Sequence, residues 1–182
     1  MEIKIGISNR HVHLSREDAD TLFGKDYQFT KRNDLGQSGE YACNEIVIVS
    51  TDNYVFDHVR VMGPIRDYTQ VEVSRDDAKL LGINPPMRDS GDLHDSEAVW
   101  IEGPKGKIYK ENCCILATRH IHCNKHDNIG YNNKDIVSVK FKDKIIDNVH
   151  IKMADHFNLE MHVDRSDAGE FGLENGDIVI LE

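Results

Sequence analysis

RHVHLSREDADTLFG (residues 10–24) decides the reading of this chain, because the same grammar returns three more times. The other copies are VEVSRDDAKLLGI (71–83), RHIHCNKHDNIGY (119–131) and EMHVDRSDAGEFGL (160–173). Each begins with an apolar strand end, continues with a capping residue (Ser15, Ser74, Asn124, Asp164) and places an acid three positions later (Asp18, Asp77, Asp127, Asp167). This is a capping-box pattern with Asp in the place of Glu, and it predicts that each strand feeds a short helix. In the first, second and fourth copies an Ala follows the Asp and a Gly closes the helix. Strand–helix corners of this kind occur in many folds and carry no chemistry by themselves.

The residue two before each cap adds the chemistry. It is His13, Glu72, His122 and His162, a metal-ligand type in every copy. In a strand, residues i and i+2 share a face, so His11 stands beside His13 and His120 beside His122. Neutral imidazole suits zinc and similar borderline metals. His11, His13, Glu72, His120, His122 and His162 are therefore read as one clustered metal site. Six candidates exceed the four ligands of a tetrahedral zinc, so two ions are expected, with coordination positions left open for water or substrate. His58, His94, His126, His150 and His156 fall outside the grammar and are assigned solvent or structural roles.

Outward from these copies, short Val/Ile-rich runs bounded by Gly, Asp, Asn or Pro predict strands. They cover 3–7, 45–50, 54–61, 98–102, 115–117, 136–141, 148–153 and 177–181. GPKGK (103–107) reads as a hairpin turn, SGD (90–92) as a loop, and Gly63-Pro64 as a turn between two strands. Many short strands with few helices indicate an all-β barrel or sandwich. Arg66, six residues before Glu72, is a candidate for binding an anion through its planar fork.

The net charge of −10 argues against nucleic acid or an anionic membrane as partner. No apolar run approaches the length of a membrane span. The four cysteines contain no CxxC spacing, and the opening MEIKIGIS lacks an apolar signal region, so reduced thiols in a cytoplasmic protein are expected. Cys113 and Cys114 are read as core, and Cys123 as pointing away from the ligand face.

The combination resembles the PduL-type phosphotransacylases, or phosphate propanoyltransferases. The matching stretches are SNRHVHLS (8–15), GPIR (63–66), TQVEVSRDDA (69–78), LGI (81–83), RDSGD (88–92), GPKG (103–106), RHIH (119–122) and LEMHVD (159–164). The resemblance implies a mainly β fold of two barrels capped by short helices. One barrel would comprise 1–9 with 118–182 and the other 10–117, with a two-zinc site at their interface. It implies the reversible reaction of short-chain acyl-CoA with phosphate to give acyl phosphate and CoA. It puts the zinc ligands on the six residues named above, the phosphate on Arg66, and CoA near Gly6, Ile7, Ser8 and Arg60. Gly169 stands where the family usually has Asn. Members destined for microcompartments carry an N-terminal extension; this chain opens on its first strand, so a free cytoplasmic enzyme is expected, with no preference for or against a homo-oligomer. The alternatives are a zinc-dependent thioester or phosphoester hydrolase using the same site, and a non-catalytic metal- or CoA-binding homologue. No Ser-His-Asp constellation offers a covalent route.

Overall fold

The computed structural model describes residues 1–182. Its strands are β1 (Glu2–Ser8), β2 (His11–Ser15), β3 (Lys31–Asp34), β4 (Tyr41–Ser50), β5 (Val55–Arg66), β6 (Gln70–Glu72) and β7 (Met87–Arg88). They continue as β8 (Glu97–Glu102), β9 (Lys107–Ala117), β10 (His120–Cys123), β11 (Ile136–Phe141), β12 (Lys144–Met153), β13 (Glu160–Asp164) and β14 (Ile178–Leu181). Three short helices, α1 (Arg16–Phe23), α2 (Arg75–Leu81) and α3 (Arg165–Phe171), follow β2, β6 and β13. The fold is mainly β, and the strands close into two six-stranded barrels.

The chain divides into two compact units. One comprises Met1–Asn9, Gly36–Ser38 and Thr118–Glu182, and the other Arg10–Leu35 and Gly39–Ala117. In the first, the strand order is β1-β13-β10-β12-β11-β14, closed by β14 pairing β1. In the second, β4-β5-β2-β6-β9-β8 closes through β8 on β4, with β3 and β7 appended at β4 and β9. The two ladders repeat each other in direction. The HxH strand, β2 or β10, runs parallel to one neighbour (β5, β12) and antiparallel to the other (β6, β13). That second neighbour runs parallel to β9 or β1.

Alternation explains the cores. Val12 and Leu14 in β2, and Ile121 and Cys123 in β10, are fully buried inside their barrels, which leaves the intervening histidines on the opposite face. One core gathers Val47, Val49, Val61, Val71, Ile101 and Cys114; the other gathers Ile3, Ile5, Val139, Ile146, Met161 and Val179.

The helix starts follow the caps. Ser15 accepts from the Asp18 amide at 3.2 Å, and Asp164 from that of Asp167 at 2.8 Å. Ser74 and Asp77 form the reciprocal box. Each such cap stabilises its helix by about 1 kcal/mol. Gly82 and Gly172 end α2 and α3 in the left-handed region, at φ 67° and 71°.

The third copy forms no helix, contrary to the expectation from its cap. Asp127 does return to the Asn124 amide at 2.7 Å, but the Asn124 side chain accepts from the His126 amide at 2.8 Å, and Asn128 turns to φ 47°. The short polar side chains of this copy satisfy the backbone locally, and no Ala follows to propagate a helical turn. Gly63-Pro64 is likewise not a turn. It is a cis peptide inside β5, which runs unbroken from Val55 to Arg66 beside a register shift against β2. Glycine at 63 lets the Tyr41 ring pack against the strand, where a Cβ would lie 2.3 Å from it.

Candidate metal centre

The strand registers assemble two groups of three ligand-type side chains, one in each unit. Across the β2–β6 ladder His11 pairs with Glu72, and His13 sits two residues further along β2. Across the β10–β13 ladder His120 pairs with His162, with His122 two residues along β10. Within His11, His13 and Glu72, and within His120, His122 and His162, one donor atom from each residue lies within 4.8 Å of the others. The His11 and His13 rings stand 5.0 Å apart, and those of His120 and His122 4.5 Å apart.

Three of these imidazoles, His13, His120 and His122, are held neutral. Burial pushes the His13 ring well below its usual range, aided by the charges of His11 and Arg66. Burial does the same for His120, with Lys152, His162 and His122 adding to it. For His122, burial and the neighbouring His162, Lys152 and His156 bring the value to about 3. Neutral imidazole is the form that ligates a metal.

The hydrogen bonds supply a test of fit. His120 Nδ1 lies 2.7 Å from the Thr118 carbonyl oxygen, so it donates there and leaves Nε2 free, the arrangement commonly found behind metal-bound histidine. His13 Nδ1 and His122 Nδ1, at equivalent positions, are buried without a hydrogen-bond partner in the protein. A buried, unpartnered nitrogen is costly unless something completes it, and two at matched places suit a pair of metal ions.

Around the His11 group lies a network that sequence reading missed. Gln70, fully buried, donates to Glu72 Oε1 at 2.6 Å and to Ser90 Oγ at 2.9 Å, and accepts from the Gly91 amide at 2.7 Å. Glu72 Oε2 stands 3.5 Å from His11 Nε2. Arg66 Nη1 donates to Tyr68 Oη at 3.1 Å and Ser90 Oγ at 3.0 Å, and Nη2 to Glu40 at 3.0 Å. Arg66 is thus fixed by three neighbours at the end of β5, and its charge acts on the buried His13 ring.

In the other group His162 Nε2 lies 2.8 Å from Glu160 Oε2, and this bond holds the Glu160 carboxyl below its usual range. His122 stacks on Phe157 at 4.2 Å between ring centres.

The arginines of the two RHxH motifs are not at the triads' disposal. Arg10 pairs with Asp77 at 2.6 Å, and Arg119 with Asp167 through two bonds of 2.9 and 2.8 Å. Each ties its strand to the helix that starts in the next corner. Gly6 pairs with His162 and Ser8 with Asp164 along β1 and β13, and the Ile7 amide donates to Asn175 Oδ1. Arg60 pairs with His11 in register but donates to the carbonyls of Cys43 and Asn44, at 3.1 and 2.7 Å.

Of the remaining histidines, His58 and His94 are strongly exposed beside Asp57 and Asp95. Cys43, Cys113, Cys114 and Cys123 are all buried and free. No helix is long and apolar enough to cross a membrane.

A duplicated barrel with an imidazole-rich triad in each copy, one of them beside a fixed guanidinium, defines the class: a candidate two-metal protein equipped for an anionic ligand. The family model described as phosphate propanoyltransferase matches residues 4–174. A Thermotoga maritima protein named phosphate propanoyltransferase is 45% identical, across 98% of this chain and 88% of its own length. Proteins of the same name from Lachnoclostridium phytofermentans and Priestia megaterium are 40% and 41% identical, each across 98% of this chain. The chain belongs to the phosphate propanoyltransferase family.

Proposed function

We propose that the protein transfers a short acyl group between CoA and phosphate: acyl-CoA + phosphate ⇌ acyl phosphate + CoA. Family membership supports the reaction class, and the hydrogen-bonded chain from Arg66 through Ser90 and Gln70 to Glu72 is the observation that carries the site. In this reading His11, His13, Glu72, His120, His122 and His162 hold two zinc ions. Zinc so bound would supply Lewis-acid polarisation of the thioester carbonyl.

The protein's own groups do the rest. Arg66 receives two phosphate oxygens in its fork and directs a third at the carbonyl carbon, which removes the entropic cost of bringing phosphate and thioester together. Glu40, Tyr68 and Ser90 hold the guanidinium in advance, so little side-chain freedom is lost when phosphate arrives. The carbon–oxygen bond to phosphate forms, the carbon–sulfur bond breaks, and the proton carried by hydrogen phosphate ends on the CoA sulfur. Gly6, Ile7, Ser8 and Arg60 are the proposed neighbours of CoA.

The test is turnover against phosphate concentration for wild type, Arg66→Ala and Arg66→Lys, with zinc content measured alongside. Arg66→Ala should keep its zinc and lose phosphate-dependent turnover by orders of magnitude. Arg66→Lys should recover little, since an ammonium lacks the fork. Near-normal phosphate dependence in Arg66→Ala would move the anion site elsewhere.

A further inference from the structure

Ser90 stands in the RDSGD loop where two nitrogen donors meet. Its Oγ accepts from Arg66 Nη1 at 3.0 Å and from Gln70 Nε2 at 2.9 Å. Neither partner can take a hydrogen back. A guanidinium has no acceptor. The Gln70 amide is oriented by its other bonds: Nε2 also donates to Glu72 Oε1 at 2.6 Å, and Oε1 accepts from the Gly91 amide at 2.7 Å.

The count for Ser90 is then short by one. A hydroxyl carries one hydrogen and two acceptor lone pairs. Both lone pairs are filled, and no other group of the protein bonds this side chain, so the hydrogen has no acceptor within the protein. The same count on Arg66 leaves Nε–H and one Nη2 hydrogen open, because Nη1 serves Tyr68 and Ser90 and Nη2 serves Glu40. An oxygen that accepts from a cation also becomes a stronger donor through its own hydrogen.

The loop is built to hold Ser90 in place. The Asp92 amide closes a turn on the Asp89 carbonyl at 3.0 Å. Gly91 takes φ 93°, a conformation that favours glycine, and a Cβ there would lie 3.4 Å from Tyr68 Oη. Gln70 fastens both Ser90 and Gly91 to Glu72, so the hydroxyl keeps a fixed place relative to a member of the His11 triad.

We infer that Ser90 is a phosphate-binding residue: its hydroxyl donates to an oxygen of the phosphate held by Arg66, and to the phosphoryl group of acyl phosphate in the reverse direction. This rests on the transferase reading above. An acceptor on the Ser90 hydrogen comes to lie beside the guanidinium, and a tetrahedral anion has oxygens enough to engage both groups at once. A thioester carbonyl has a single oxygen and carries no charge. The bond joins a hydroxyl to an anion, which makes it one of the stronger kinds.

The experiment is steady-state turnover of the zinc-loaded protein, with phosphate varied at saturating acyl-CoA and acyl-CoA varied at saturating phosphate, and zinc content measured alongside. Ser90→Ala should raise the KM for phosphate about 10–100-fold, the cost of one hydrogen bond to a charged group. The KM for acyl-CoA and the zinc content should stay near wild type. Ser90→Thr keeps the hydroxyl and should recover most of the phosphate affinity. Tyr68→Phe removes one holder of the guanidinium but leaves the Ser90 donor, and should raise the KM for phosphate less than Ser90→Ala does. An unchanged KM for phosphate in Ser90→Ala would overturn the proposal while leaving the transferase reading intact. So would equal rises in both KM values, a loss of zinc, a Tyr68→Phe effect as large as that of Ser90→Ala, or a Ser90→Thr as poor as Ser90→Ala, since each makes Ser90 a prop for its neighbours and not a donor to substrate. A wild type whose turnover ignores phosphate would overturn the transferase reading and the Ser90 assignment together.

Discussion

Replacing Arg119 by Ala should destabilise the first unit far more than replacing Arg10 by Ala destabilises the second, although the two arginines occupy equivalent places in the RHxH motifs. Arg119 donates through Nε and Nη2 to both oxygens of Asp167, and through Nη1 to the Asp147 carbonyl at 2.9 Å. Its side chain is 13% exposed and that of Asp167 only 3%. Removing one member of such a buried pair costs about 3–5 kcal/mol, because a buried carboxylate loses the opposite charge beside it. Arg10 makes one bond to Asp77, is 35% exposed, and leaves its Nε without a partner, although it also stacks on Phe56. With solvent screening part of the charge, the expected cost is about 1–3 kcal/mol. Hydrogen exchange read by peptide resolves the units separately. Amides of β10 and β13 should exchange at least about 100-fold faster in Arg119→Ala, since about 3 kcal/mol corresponds to that factor. The change in β2 and β6 for Arg10→Ala should be smaller. Exchange in Arg119→Ala within about tenfold of wild type, or a larger effect from Arg10→Ala, would refute the view that these arginines are structural ties of unequal strength.

Two further outcomes follow from the site and the cores. His120→Ala or His122→Ala should lower bound zinc and activity together, whereas His94→Ala, at a strongly exposed position, should change neither; metal analysis with a turnover assay decides it, and a damaging His94→Ala would undo the assignment. Burial raises the Cys43 thiol to about 11 and that of Cys113 to about 12, and pushes Cys114 well above the usual thiol range, so at pH 8 the reactive thiolate is scarce in the folded protein. Labelling by a thiol reagent should be slow in the native state and rapid after denaturation, and fast native labelling of Cys113 would contradict the buried placement.

The repeat was legible because its parts are local. A strand end, a cap and an acid three residues on lie within one short window, and Ser15, Ser74 and Asp164 each cap a helix. The same local pattern failed at Asn124, where Asn and Asp side chains close the backbone into turns instead. Gly63-Pro64 misled for a related reason. Such a dipeptide usually marks a turn, yet here β5 passes through it, with Tyr41 packed where a Cβ would be. The early part of β9 was missed because KIYKEN is polar and largely exposed, without the apolar run that marked its end. The contacts of Gln70 with Glu72 and of Glu160 with His162 belong to side chains that strand register brings to the triads, and the place of Gly36–Ser38 in the first unit depends on partners about 120 residues away. No short window of sequence contains those relations.

The most direct test of the central claim is to follow thiol release and acyl phosphate formation together, with zinc-loaded protein, a series of short-chain acyl-CoA substrates, and phosphate present or withheld. The account predicts thiol release that requires phosphate and matches acyl phosphate one for one. Thiol release that proceeds equally without phosphate and yields free acid would make the protein a thioester hydrolase, and no release with any substrate pair would make it a binding protein; either result contradicts the transferase assignment.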